Sequence, residues 1–161
     1  MSELKNQISQ FIDTKAKVYQ DISLAIHAKP EVSDFEYFAS QTLSEQLKKE
    51  GFEIELPAAG HRTGFAATYK SNKPGPTVVF LAEYDALAGL GHGCGHNVFG
   101  ATSALAGAAL KSIVDQIGGE VRVYGTPGEE GGQNGSAKGS FCEEGLLKRC
   151  GFCPMHSSRL R

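Results

Sequence analysis

Thr77-Val78-Val79-Phe80-Leu81-Ala82 runs through Glu83-Tyr84-Asp85 into Gly89-Leu90-Gly91-His92-Gly93-Cys94-Gly95-His96-Asn97. The first six residues are continuously apolar, as expected for a strand covered on both faces. The glycine-rich loop that follows holds a thiol and two imidazoles. The next segment, 97–117, is rich in alanine and leucine and predicts a buried helix, stopped by Gly118-Gly119. Glu120–Tyr124 predicts a further strand, and just past it stands Gly128-Glu129-Glu130-Gly131-Gly132. In open α/β sheets ligands bind beyond the carboxyl ends of the strands, so Asp85, the Cys94/His96 loop and the Glu129-Glu130 pair are expected to meet at one edge.

Working outward, residues 3–28 predict a helix, with Leu4, Ile8, Phe11, Ile12, Ala16, Tyr19, Ile22 and Ile26 near helical spacing. Lys29-Pro30 ends it. Ser33 with Glu36 predicts a capping box for a second helix. Its apolar face is expected to be Phe35, Phe38, Leu43 and Leu47, and its left-handed stop Gly51. Phe52–Leu56 and Gly64–Tyr69 are strand candidates. The order predicts an α/β fold: a partial three-layer sandwich on a mixed, mainly parallel sheet.

The 161 residues suit one domain, and a net charge of −2 without a basic run argues against nucleic acid as a main partner. The sequence shows no apolar run near the ~20 residues of a membrane helix and no signal-peptide pattern at Met1–Lys5, so a cytoplasmic location is expected. Four cysteines in such a setting read as thiols or ligands.

Cys94 and His96 flank one glycine. In an extended segment such residues point to one side and can share an ion or serve one ion each of a pair. Thiolate and imidazole suit zinc, and carboxylates also accept manganese. Of Glu129 and Glu130, one is expected to bind metal and the other to act as general base. Asp85 is expected to orient a ligand imidazole. Glu83 and His92 are weaker candidates. No register of Gly89–Gly95 gives Gly-x-Gly-x-x-Gly, and there is no P-loop or nucleophile elbow.

At these residues the chain resembles the M20 family of metallopeptidases and amidohydrolases, in its aminoacylase, aminobenzoyl-glutamate hydrolase and dipeptidase branch. The matching segments are Glu83-Tyr84-Asp85-Ala86-Leu87, Gly91–Asn97, Gly125–Gly132 and Asn134–Lys138, in order and correctly separated. The resemblance spans about residues 5–148. It implies a zinc-peptidase-like catalytic domain with two divalent ions, zinc or manganese. It implies Cys94, His96 and Glu130 as ligands, Glu129 as general base and Asp85 as the brace of the centre. Small amide or dipeptide substrates, such as N-acyl amino acids, are implied, and homodimers for full-length members. Ala88 departs from the proline common in the family.

By the same resemblance residues 1–148 are the amino-terminal part of the catalytic domain. The family continues with an inserted lid or dimerisation domain and two further histidine ligands. The tail 149–161 departs from it, and removing the first base of one back-translation of that tail yields Asp-Val-Asp-Phe-Ala-Leu-Cys-Ile-His-Pro-Gly-Tyr, a family-like strand. The expectation is a frameshifted, truncated chain, inactive by itself. Three other readings stand beside it: a non-catalytic metal-binding or regulatory fragment pairing with a full-length homologue, a zinc knuckle at Cys150, Cys153 and His156, and a nucleotide-binding module.

Overall fold

The computed structural model describes residues 2–147; the tail and its Cys150/Cys153/His156 motif lie outside the described residues. Helix α1 (Ser2–Ala28) and helix α2 (Tyr37–Lys49) precede strands β1 (Glu53–Glu55), β2 (Phe65–Lys70) and β3 (Thr77–Ala82). Helix α3 (His96–Ile117), strand β4 (Glu120–Gly125) and a short helix α4 (Ala137–Glu143) complete the order.

The four strands form one mixed sheet in the order β1-β2-β4-β3. β4 runs parallel to β3, pairing Thr77 with Glu120 and Ala82 with Gly125. β2 is antiparallel to β1 and to β4. The mixed α/β sheet matches the expectation, but its parallel part is confined to β3 and β4 among the described residues. The reason is connection length. Short links turn the chain back between β1 and β2 and between β2 and β3, whereas only α3 is long enough to return it for a parallel neighbour.

Alternation along the strands feeds two cores. Phe65 and Ala67 of β2, Phe80 and Ala82 of β3, and Val121 and Val123 of β4 face α1, α2 and α3. Ala66, Val79, Leu81 and Tyr124 face the opposite side, where Ala137 and Phe141 of α4 cover them. This gives three layers, helices on both faces of the sheet. By length and composition α3 is apolar enough to cross a bilayer, contrary to the sequence expectation. Its burial against α1 and the sheet accounts for that composition, with Ala101, Ala104 and Ala108 nearly inaccessible.

Helix α2 corrects the capping-box expectation. Glu36 occupies the N-cap position without a side-chain cap bond. The backbone N–H groups of Phe38 and Ala39 donate instead to the carboxylate of Glu31, which takes over the capping role. Ser33 and Glu36 are drawn inward by distant segments, and Phe35 stays exposed. Gly51, at φ 90°, follows the last turn as expected.

Candidate metal centre

β3 and β4 end side by side, and Thr126 N–H still donates to the Ala82 carbonyl at 2.8 Å. The segments that leave these two ends carry Glu83 and Asp85 on one side and Glu129 and Glu130 on the other. Helix α3 begins at His96 beside them. Its start is tied to α1 through Asn97, whose amide donates to the Ser23 hydroxyl at 3.0 Å. At Gly100 the helix runs so close to the Glu83 carbonyl that a Cβ would lie 2.6 Å from it.

The loop before α3 is a turn and not the extended segment expected from Cys-Gly-His. Gly95 is left-handed, at φ 77°, and switches the chain directly into the helix. Cys94 is therefore exposed, whereas His96 is 7% exposed.

Asp85, 1% exposed, holds the His96 ring: its Oδ1 lies 2.8 Å from Nδ1. Its Oδ2 accepts from the Ser33 hydroxyl and from the Glu130 N–H, each at 2.9 Å. Burial pushes the Asp85 carboxyl upward, but the bonds from His96, Glu130 and Ser33 outweigh it and hold the group below the usual range. The bond to Asp85 raises His96 above the ordinary imidazole value against the opposing effect of burial, with the charges of Asp85 and Glu83 adding to it.

With Nδ1–H directed at Asp85, the other nitrogen of His96 faces carboxylates only. Nε2 lies 3.2 Å from Glu83, 3.7 Å from Glu129 and 3.8 Å from Glu130. Ligand atoms of Glu83, His96 and Glu129 fall within 4.8 Å of one another. Cys94 meets Glu130, whose carboxylate raises the thiol. Lys138 pairs with Glu83 and lies 4.0 Å from Glu129. Among the described residues, then, four carboxylates are faced by one lysine and one imidazole.

The donor set fits a divalent cation. In its neutral form the ring aims a lone pair at three carboxylates, an arrangement that needs a proton or a metal ion between the groups. Thiol, imidazole and carboxylate are the ligands of zinc and manganese sites. All five residues singled out by the sequence (Asp85, Cys94, His96, Glu129 and Glu130) converge here. Glu83, a weaker candidate in the sequence, stands nearest of the glutamates to Nε2. Its signal was its place at the end of β3, two residues before Asp85. His92 instead stacks on His27, ring centroids 6.1 Å apart.

No family model matches the chain. It is 34% identical over 166 aligned residues to a p-aminobenzoyl-glutamate hydrolase polypeptide of Escherichia coli, covering 91% of this chain and 34% of that protein. It is 35% identical over 146 residues to the Xaa-Arg dipeptidase of Mus musculus, covering 80% of this chain and 33% of that one. The chain thus spans about a third of the length of these curated relatives. Among solved structures, a dinuclear metal-binding peptidase of the M20 family from Bacillus subtilis superposes with TM-score 0.66 at 24% identity. That superposition covers 92% of this chain and 42% of the other.

Proposed function

We propose that this chain, which belongs to the M20 family over the residues it shares with these relatives, carries the metal centre of a hydrolase acting on amide or peptide bonds in small substrates. The observation that supports this reading is the His96 ring, fixed by Asp85 at 2.8 Å while its free nitrogen faces three glutamates. Cys94, His96 and Glu130 would hold divalent ions, with Glu83 as a further donor. Zinc or manganese, bound there, would supply Lewis acidity toward the scissile carbonyl.

The remaining roles belong to the chain. Glu129 has the most exposed carboxylate of the cluster, its side chain 38% accessible, and is placed to take a proton from the attacking water and return it to the leaving amine. Asp85 fixes the ring orientation and, through the Glu130 N–H, the direction of the glutamate turn. Lys138 offsets part of the negative charge of Glu83 and Glu129. Aminobenzoyl-glutamate and dipeptide cleavage by the relatives suggests N-acyl amino acids or dipeptides as substrates. The cytoplasmic location expected from the sequence goes with this reading.

The test is metal content. After purification, loading with zinc or manganese and exhaustive dialysis, the chain should retain metal. Cys94→Ala should weaken retention and His96→Ala abolish it. A folded wild-type chain that holds no metal, or a His96→Ala chain that holds as much, would sink the proposal.

A further inference from the structure

The glutamate turn is suspended by its backbone N–H groups from three carboxylates distant in sequence. Gly128 N–H donates to Glu36 at 3.0 Å, Glu130 N–H to Asp85 at 2.9 Å, and Asn134 N–H to Asp34 at 3.3 Å. The Asn134 side chain adds a second bond to Asp34 at 3.1 Å. Two of these acceptors come from the short link between α1 and α2, and Ser33 of the same link braces Asp85.

Glu36 is the unusual member. It is 0% exposed, and no cation faces it among the described residues. Its second hydrogen bond comes from the Thr63 hydroxyl at 2.8 Å, and Thr63 is itself tied to Tyr84 by the bond from the tyrosine hydroxyl to its carbonyl. A buried carboxylate is costly unless its bonds repay the lost hydration. A fold that needed only to fill this space would do so better with an apolar or amide side chain. What the carboxylate supplies is a strong acceptor for Gly128 N–H, one residue before Glu129. Gly128 itself is left-handed, at φ 74°, and a Cβ there would lie 2.8 Å from the Gly135 carbonyl, so the turn has one narrow conformation to be held in.

We infer that Glu36 is a positioning residue that fixes the turn carrying Glu129 and Glu130 through the Gly128 N–H. The consequence for metal binding rests on the hydrolase reading above; the restraint on the turn does not. The experiment compares Glu36→Ala and Glu36→Gln with wild type, by residue-resolved amide hydrogen exchange and by zinc chloride titration calorimetry.

In Glu36→Ala the Gly128 amide should exchange about ten- to a hundred-fold faster, the range for losing a bond to a charged group, while Val121 and Val123 of β4 keep their protection. Zinc affinity should fall by about tenfold, as when a supporting partner of a ligand is removed. Glu36→Gln retains an oxygen acceptor for Gly128 and should recover most of both losses. Unchanged Gly128 exchange overturns the inference. So does acceleration shared equally by Val121 and Val123, which marks general loosening. Unaltered zinc affinity in Glu36→Ala overturns it as well. If wild type binds no zinc, the hydrolase reading fails by itself and the exchange pattern still decides the role of Glu36.

Discussion

Gly100→Ala adds a single methyl group under the metal centre. Gly100 lies within α3, where alanine is favoured over glycine by about 1 kcal/mol. The new Cβ would stand 2.6 Å from the Glu83 carbonyl oxygen and 3.2 Å from Leu43 Cδ1. The leucine can turn away, but the carbonyl belongs to backbone at the end of β3. Helix and strand end must part by most of an ångström to reach ordinary contact. Overpacking of this kind costs about 1–3 kcal/mol, so the net expectation is a loss of about 1 kcal/mol. The same displacement separates His96, on α3, from Asp85, on the strand side, and lengthens their 2.8 Å bond. Zinc affinity should therefore fall together with stability. The control is Gly139→Ala in α4, where nothing lies within 4 Å of the added group. It should gain roughly 0.5–1 kcal/mol from the helix preference alone. Chemical denaturation of both variants at unchanged m-value reads the difference. A Gly100→Ala chain as stable as wild type or more so, beside a stabilised Gly139→Ala, would refute the reasoning.

Three other outcomes are expected. Asp85→Asn presents an amide to the His96 Nδ1–H and weakens acceptance from Ser33 and Glu130. Zinc affinity should drop about 10–100-fold, and an unchanged binding isotherm would show that Asp85 does not set the ring. For Glu36, burial raises the pKa first and the bonds from Thr63 and Gly128 only partly offset it, so the folded value lies above the usual 4.5. The native state then binds the proton more tightly than the unfolded chain. Its stabilising share is complete below pH 4.5 and disappears as pH rises through the folded value. Stability of Glu36→Gln relative to wild type, measured by denaturation across that window, should rise with pH; a flat difference contradicts it. Phe141→Ala should cost about 3–5 kcal/mol because α4 covers its sheet face with this ring, whereas Phe99→Ala, at a partly exposed site, should cost much less; equal losses in thermal denaturation would contradict the layer assignment.

The elements with one dominant local signal were legible. The apolar run 77–82, the alanine-rich 97–117 and the Gly118-Gly119 stop coincide with β3, α3 and its end. The convergence of Asp85, His96 and Glu129 was legible too, because each sits immediately past a strand or at a helix start. Ser33 and Glu36 mislead for a physical reason. Locally they spell a capping box, but Ser33 finds its partner 52 residues away and Glu36 finds one 92 residues away. Burying those polar groups made the long-range bonds obligatory, and Glu31 was free to cap the helix instead. The seven residues of α4 gave too little periodicity to be found, with apolar anchoring only at Ala137 and Phe141. Cys94 was expected to point with His96, but a left-handed Gly95 reverses that geometry, and φ at glycine is not written in side-chain pattern.

The sheet order has a kinetic consequence. β4 is the last strand in sequence among the described residues, yet it lies between β2 and β3. Its partner Phe65 in β2 is sixty residues earlier than Gly125, and both loop closures must precede the pairing. Until β4 is seated, β2 and β3 lack their shared neighbour and the glutamate turn that follows β4 has no anchor. The chain should therefore acquire its α1–α3 packing before it acquires the metal centre. Pulse-labelled amide exchange during refolding should protect α3 first and Gly128 last. Gly128 protection arriving together with that of α3 would show that sheet and site assemble in one step.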